Sequence, residues 1–340
     1  MSSRAAAASL WLVPLIVIVA SLWWIDSRAG WDVVFAPAAA PEFDGRGHRE
    51  TSVFALDSTA DGDTLLCCLR GYLSHRAPLL IFDADGQSRR IPAAEAITRQ
   101  TVLWSAALFP DGTSLLVAGG PAGLARVDLL SGEISPLAAS VVPPESAKLA
   151  IAPDCSTLAV ALPSEIVLLD AGEGTERARL PTPGAAVATV VFSPDGRLVA
   201  IGRTDGEIQL WEVATGALQR AWRGHAQVVR RLQFVGDGSR LASVGLDGAV
   251  RVWETETGRE VWSDAGDGNG LQALAIAPDG STAAVGGIGA DIQIWNLNTG
   301  RREQTLIGHT WSITALQFIQ GGTILVSGSD DGMLLYWNAA

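Results

Sequence analysis

Several residue types are scarce in this chain, and each scarcity argues against a class of site. Lysine occurs once in 340 residues, at Lys148, and the formal net charge is −12. Nucleic-acid phosphates require a surface rich in Lys and Arg, and the sequence has no run of basic residues with interleaved aromatics. We therefore exclude nucleic acid as a partner.

Cysteine is also scarce, with Cys67, Cys68 and Cys155 as its only occurrences. No Cys-x-x-Cys motif is present, which argues against a zinc ribbon or a thioredoxin-like motif. The adjacent pair could bridge only with strain. We interpret all three as small strand residues. The alternative is a disulfide from Cys155 to Cys67 or Cys68 in an extracytoplasmic domain.

What the sequence does contain is a repeated phrase. "DGEIQLWEVATG", "DGAVRVWETETG" and "ADIQIWNLNTG" begin at residues 205, 247 and 290. The tryptophans of the last four repeats lie 42 residues apart, at Trp211, Trp253, Trp295 and Trp337. Gly-His dipeptides end at His48, His225 and His309. A period of roughly 40–45 residues with these marks is typical of four-stranded propeller blades.

A turn motif extends the repeat towards the N-terminus. "FSPDG" at residue 192 separates two apolar runs, as Pro, Asp and Gly do between strands. It recurs, with variations, as "IAPDG", "IAPDC", "LFPDG", "FVGDG", "FIQGG" and "STADG". Seven turns predict seven blades, and the short runs between them alternate apolar and polar residues as strands do.

These motifs resemble those of the WD-repeat β-propellers over about residues 42–340. In the first three repeats Phe82, Val127 and Leu169 replace the tryptophan. The resemblance implies an all-β, seven-bladed propeller. The last blade lacks a fourth strand, and we expect the segment just before Gly47-His48, within residues 40–48, to supply it. We also expect one transmembrane helix before the ring.

The resemblance further implies two buried hydrogen-bonded tetrads that satisfy polar groups between strands. One consists of His225, Ser243, Asp247 and Trp253. The other consists of His309, Ser327, Asp331 and Trp337.

We find no constellation for catalysis. The chain has four histidines, of which three occupy the Gly-His position and His75 stands alone. No nucleophile elbow, phosphate loop or zinc-protease helix occurs. The aspartates of the turns recur once per repeat, so we expect them to form turns rather than a calcium site, which needs several oxygens close together. We predict no catalytic residue, metal or cofactor, and a protein that is not an enzyme.

The N-terminus is strongly apolar. Residues 5–25 carry no charge and end in Trp23-Trp24, a length and an edge that fit a helix spanning the bilayer. We divide the chain into a signal-anchor at 1–29, a linker at 30–41 and a propeller at 42–340. The charge bias favours an N-terminus in the cytoplasm and a propeller exported to the periplasm of a bacterial inner membrane.

Two alternatives to that topology remain open. The segment could be a signal peptide cleaved after Ala29 or Ala38, which would release a secreted propeller. The propeller could also be cytoplasmic on an inverted anchor.

The resemblance also implies that one face of the ring binds other proteins. Residues of the first strands and their loops place Phe54, Trp104, Arg230, Gln272 and Trp311 there, and aromatic residues and Arg dominate interface hot spots. Trp222 and Trp262 could pack between blades or mark a contact with a membrane protein. We predict a scaffold or an accessory subunit with membrane or periplasmic partners, contacting lipid through residues 5–25. The alternative is a periplasmic enzyme or ligand sensor that uses the central channel.

Overall fold

The computed structural model of this protein describes residues 33–34, 51–59, 64–71, 79–82, 88–90, 103–119, 123–137, 141, 143, 147–266 and 268–339. The predicted anchor at 1–29, His48, Asp61 and His75 lie outside these residues. Within the described residues, no helix is long and apolar enough to cross a bilayer.

The described chain is built from short antiparallel strands. Six sheets, numbered 1 to 6, each take four consecutive strands, as the alternating runs predict. Sheet 1 is β2 (Thr51–Ser58), β3 (Leu65–Gly71), β4 (Leu79–Phe82) and β5 (Ser88–Arg90). Sheet 2 is β6 (Leu103–Leu108), β7 (Ser114–Gly119), β8 (Leu124–Asp128) and β9 (Ile134–Leu137). Sheet 3 is β10 (Leu149–Ile151), β11 (Thr157–Ala161), β12 (Glu165–Asp170) and β13 (Glu176–Pro181).

The strands of the later sheets carry the clearest repeats. Sheet 4 is β14 (Val187–Phe192), β15 (Leu198–Arg203), β16 (Glu207–Glu212) and β17 (Leu218–Arg223). Sheet 5 is β18 (Val229–Val235), β19 (Arg240–Gly245), β20 (Val250–Glu254) and β21 (Glu260–Asp264). Sheet 6 is β22 (Leu271–Ile276), β23 (Thr282–Gly287), β24 (Ile292–Asn296) and β25 (Arg301–Leu306).

The remaining sheet, sheet 7, is composite. Its three C-terminal strands are β26 (Ile313–Ile319), β27 (Ile324–Ser329) and β28 (Leu334–Asn338), with a 3-10 turn at Gln320–Gly322. Its fourth strand is β1 (Val33–Val34), which pairs with Trp337 and Tyr336 of β28. An N-terminal strand therefore completes the sheet, but the prediction that residues 40–48 supply it was wrong. The pairing segment lies inside the predicted linker, where the β-branched residues Val33 and Val34 favour an extended strand.

The sheets close into a ring around their first strands. Each first strand lies beside the first strand of the next sheet, from β2 through to β26, and β26 lies beside β2. The apolar core follows the same circle, since each buried cluster lies between two neighbouring sheets. The prediction of an all-β propeller is confirmed.

The two ends of the ring differ in their loops. Turns that join first to second strands, and third to fourth strands, lie at one end. Turns that join second to third strands, and loops that lead from one sheet to the next, lie at the other end, which we call the top face. Four backbone hydrogen bonds tie these two kinds of top-face loop together, at 2.9–3.0 Å. They run from Thr204 N to Ala186 O, from Leu246 N to Val228 O, from Ile288 N to Gly270 O and from Asp330 N to Ser312 O.

Candidate functional site

β-bulges mark the inner edge of the top face. In six sheets the register of the first strand shifts at one residue, which is therefore left without a direct partner on the second strand. These residues are Phe54, Trp104, Ala188, Arg230, Gln272 and Thr314. Four of the five predicted partner-binding residues are thus brought to equivalent positions around the channel mouth.

The bulge residues of sheets 5 and 6 touch each other. The Nη2 atom of Arg230 donates to Oε1 of Gln272 across the two sheets at 3.4 Å, a long contact. The Nε atom of Arg230 is buried and has no hydrogen-bond partner. The side chains of Phe54 and Trp104 lie outside the described part of the structure.

Exposed apolar side chains lie on the same face. Trp311, the fifth predicted residue, sits in the loop before β26 and is 57% exposed. Ile307 in that loop and Ile288 in the turn after β23 are also exposed. These loops present an apolar rim outside the bulge residues, and a rigid ring holds them in place.

The two predicted tetrads are hydrogen-bonded chains within sheets 5 and 7. In sheet 5, Trp253 Nε1 donates to Ser243 Oγ at 2.9 Å. Ser243 Oγ lies 2.8 Å from His225 Nε2, and His225 Nδ1 lies 2.9 Å from Asp247. Asp247 also accepts the backbone N–H of Ala226. Each tetrad thus joins the loop before a sheet to that sheet's second and third strands.

Sheet 7 repeats this geometry. Trp337 Nε1 donates to Ser327 Oγ at 2.8 Å, and His309 bridges Ser327 and Asp331 at 2.8 and 3.0 Å. The backbone N–H of Thr310 donates to Asp331 at 2.9 Å.

The Ser-His-Asp order of the tetrads resembles that of hydrolases, but its burial does not suit catalysis. Ser243 and Ser327 are fully buried, and each is engaged by an indole N–H. A nucleophile needs an accessible hydroxyl with an adjacent base. Burial lowers the pKa of His225 although Asp247 opposes that shift. We therefore assign the tetrads to structure.

Comparison with known families agrees with the repeat motifs of the sequence. Residues 174–212, 216–254 and 300–338 each match the family model described as WD domain, G-beta repeat. The chain contains WD repeats. No curated protein matches the chain.

Each matched WD repeat spans two sheets. The segment 174–212 begins with β13, the outer strand of sheet 3, and ends with β16 in sheet 4. The segment 300–338 runs in the same way from β25 to β28. The three matched repeats therefore tie sheet 3 to sheet 4, sheet 4 to sheet 5 and sheet 6 to sheet 7. The last match ends with the third strand of sheet 7, whose fourth strand is β1.

Sheets 4 and 6 keep the tryptophan but lack the tetrad serine, and they satisfy the indole N–H differently. Ile201 in sheet 4 stands where sheet 5 has Ser243, and Gln209 pairs opposite Ile201. Trp211 Nε1 donates to Gln209 Oε1 at 3.0 Å.

Sheet 6 uses the same substitution. Val285 occupies the serine position, Gln293 pairs opposite it, and Trp295 Nε1 donates to Gln293 Oε1 at 3.2 Å. The sequence carried this signal as Gln-x-Trp, which occurs in the two repeats that keep the tryptophan but lack the serine.

Sheet 4 also replaces its missing histidine. Arg203 is buried and donates from Nη2 to Pro183 O at 2.6 Å, with its Nε 3.9 Å from Asp205. Sheet 5 has Gly245 in the place of Arg203, and a Cβ there would lie 2.6 Å from His225 Nδ1. Arg203 therefore takes in sheet 4 the place next to the second strand that His225 takes in sheet 5.

One group of first-strand residues was not predicted from the sequence. Three residues after the bulge, a polar side chain reaches the first strand of the next sheet. Asp57 accepts the N–H of Leu108 at 2.8 Å, Gln233 accepts that of Ile276 at 3.1 Å, and Gln317 donates to Ser58 Oγ at 2.8 Å. Burial raises the pKa of Asp57 to about 6. A polar residue recurring at one register of the first strands was the available signal.

The turn aspartates and the outer tryptophans have structural roles. Five of the six turn aspartates accept a backbone N–H two residues later at 2.9–3.0 Å: Asp111, Asp154, Asp195, Asp237 and Asp279. The described residues hold no group of three His, Cys, Asp or Glu placed for a metal. Trp222 packs 5.7 Å from Trp253, and Trp262 packs 5.9 Å from Trp295, so both lie between sheets.

Two further features are the cysteines and one groove. Cys67, Cys68 and Cys155 are free thiols, and the first two are buried in β3. A groove of about 880 Å³ opens between sheets 4 and 5 at the end opposite the top face. Five acidic residues and four arginines line it, so its charges nearly balance.

Proposed function

We propose that this protein is a non-catalytic scaffold whose top face binds a protein partner. The observation that carries this proposal is the ring of bulge residues, because it places six non-equivalent residues at one end of a rigid ring. The exposed Trp311 on the same face supports it. WD repeats of this kind fit an interaction role in general.

The composite sheet is part of that scaffold in our proposal. We count sheet 7 as the seventh blade, since its strands, its buried cluster and its neighbours match those of the six continuous sheets. A ring closed in this way presents preformed shape, and binding to it needs little rearrangement.

We also propose that residues 5–25 anchor the chain in a bacterial inner membrane and that the propeller is exported to the periplasm, as an accessory subunit of a membrane complex. The uncharged 21-residue run supports the anchor. If it spans the bilayer, only residues 26–32 separate it from β1. At roughly 3.3–3.6 Å per residue, an extended chain of that length reaches at most about 25 Å. The ring would then lie close to the membrane surface.

The anchor can be tested by fractionation. We expect the full chain to sediment with membranes and a variant lacking residues 1–29, which keeps β1, to be soluble. A C-terminal alkaline phosphatase fusion should be active and a green fluorescent protein fusion dark if the propeller is exported. The reverse fusion result would place the propeller in the cytoplasm, and a soluble full chain would overturn the anchor.

Partner binding is tested by gentle extraction of the tagged full chain and mass spectrometry of what co-purifies. Trp104→Ala, Arg230→Ala and Trp311→Ala should each lose a stoichiometric partner. Leu130→Ala is the matched control, because Leu130 is 93% exposed in a turn at the opposite end. A protein recovered alone, or a partner lost equally in the control, would overturn the scaffold.

A periplasmic enzyme or ligand sensor that uses the channel is the second candidate. It is favoured by charged side chains on the first strands, Asp57 and Arg231. A small molecule that raises the Tm of the full chain, and fails to do so in Asp57→Asn, would shift the assignment to this candidate.

A further inference from the structure

One position on the first strands breaks the pattern of the ring. The residue directly after the bulge is small in five sheets, where it is Ala55, Ser105, Thr189, Ala273 or Ala315. In sheet 5 it is Arg231. The backbone register is the same in all six sheets, so the fold of a sheet does not require a charged side chain at this position.

Arg231 is placed towards sheet 6. Leu232 and Phe234 pack in the cluster between sheets 4 and 5. Because side chains alternate along a strand, Arg231 and Gln233 face the opposite side, where Gln233 accepts the N–H of Ile276. Arg231 donates from Nη1 to the carbonyl oxygen of Arg230 at 3.0 Å. Two consecutive arginines therefore meet at the junction of sheets 5 and 6.

No carboxylate compensates this pair among the described residues. The ion pairs of the neighbouring arginines, such as Arg251 with Glu260, do not extend to Arg230 or Arg231. Arg230 keeps a buried Nε without a partner. Burial, and then the charge of Arg230, lower the pKa of Arg231 to about 10. An uncompensated pair of half-buried cations is unfavourable, and it stands out in a chain of net charge −12.

Apolar side chains adjoin the pair on the top face. A Cβ added at Gly270 would lie 3.0 Å from the side chain of Ile288 and 3.1 Å from that of Leu246. Both side chains thus flank Gly270, two residues before Gln272, which contacts Arg230. Ile288 is 56% exposed. Cationic and apolar surfaces are therefore continuous at this junction.

We propose that Arg230 and Arg231 bind the carboxylate of an acidic segment of a protein partner. Leu246 and Ile288 contact apolar residues that flank the acidic residue. Charge complementarity identifies this occupant, because guanidinium groups match carboxylates in geometry. This inference rests on the proposed scaffold function and specifies the partner chemistry of the same face.

The probe is a random 12-residue peptide library displayed against the purified full chain. We expect enriched peptides to contain Asp or Glu next to an apolar residue. The best peptide, made synthetically, should lose at least tenfold in affinity when its acidic residue is changed to the amide. Its Kd should rise with salt between 50 and 200 mM.

Arg231→Ala is the informative variant, because alanine is the residue of sheets 1, 6 and 7 at this position. We expect it to fold with a Tm at least as high as the parent and to bind the peptide at least tenfold more weakly. Arg220→Ala, on the exposed outer strand β17, is the control and should bind normally. The combination of retained stability and lost affinity distinguishes a binding role from a structural one.

Three outcomes would overturn the inference. They are enrichment of peptides without acidic residues, equal binding by Arg231→Ala, and Arg231-dependent binding of inorganic phosphate without any acidic peptide. If a co-purifying partner is lost in Trp311→Ala but kept in Arg231→Ala, the scaffold stands and only this site fails. If no partner depends on Trp311, the scaffold itself fails.

Discussion

The indole Nε1 of Trp211 donates to Oε1 of Gln209, two residues earlier on the same strand, at 3.0 Å. Gln209 is almost fully buried, and its own amide donates to Glu207 at 2.7 Å. In sheet 5 the corresponding indole uses Ser243 on the neighbouring strand. The acceptor has therefore moved across the strand pair, while the tryptophan has kept its place.

This relationship predicts the effect of removing the glutamine. Gln209→Leu should lower the free energy of unfolding by about 1–3 kcal/mol, because it leaves a buried indole N–H unsatisfied. Adding Ile201→Ser should recover part of that loss, since it places a hydroxyl opposite position 209. Urea unfolding measures both. Gln219→Leu on exposed β17 is the control, and an equal loss there would contradict the assignment.

The buried serine of the tetrad should be more costly to remove. Ser243→Ala leaves both Trp253 Nε1 and His225 Nε2 without their partner. We expect a loss of about 2–4 kcal/mol in the free energy of unfolding, from two unsatisfied buried groups. Ser263→Ala, whose hydroxyl bonds Glu260 on the exposed β21, should change it by less than about 0.5 kcal/mol. Similar losses at the two positions would remove the case for a tetrad.

Much of this fold could be predicted from sequence because its signals are local. The 42-residue period and the Pro-Asp-Gly turns indicate the sheets even where Val127 and Leu169 replace tryptophan, since both are fully buried in their strands. The closing strand could not be predicted correctly. Val33 and Val34 pair with residues some 300 positions away, and a two-residue strand leaves no periodic pattern.

The candidate site was predictable only in part. Counting from the turns placed Arg230 and Gln272 at equivalent positions, and the bulges explain why those side chains reach the channel mouth. The contact between Arg230 and Gln272 depends on distances between sheets. So does the lack of a carboxylate partner for Arg231 among the described residues. Such distances are set by packing around the ring, which a single repeat does not encode.

Asp57 predicts a pH dependence of stability. Its pKa is raised from the ordinary 3.8 to about 6 by burial, so the folded protein holds the proton more tightly than the unfolded chain. Stability from this group is therefore fully present below about pH 3.8 and is lost as pH rises to about 6. Two pKa units correspond to about 3 kcal/mol at most.

Asp57→Asn tests this dependence. The amide cannot ionise, so the variant should gain free energy of unfolding relative to the parent as pH rises from 4 to 7. The loss of one acceptor oxygen, which serves Leu108 or Ser58, shifts the curve equally at every pH. Urea unfolding at pH 4, 5, 6 and 7 gives the difference. A difference that stays constant with pH would show that Asp57 keeps its ordinary pKa.

A matched pair of turn substitutions tests backbone strain. Cys155 has φ of 58°, whereas Gly196 at the same place in the next turn has φ of 70° with nothing within 4 Å of an added Cβ. The left-handed region costs a residue with a side chain roughly 1–2 kcal/mol. Cys155→Gly should therefore raise the free energy of unfolding by about 1 kcal/mol, and Gly196→Ala should lower it by a similar amount. Gly196→Ala removes no side-chain contact, and Cys155→Gly removes the hydrogen bond between the thiol and the backbone of Asp111. Opposite signs would therefore mean that the backbone conformation outweighs that bond. A stability loss in Cys155→Gly would instead mean that contacts of the half-buried thiol outweigh the strain.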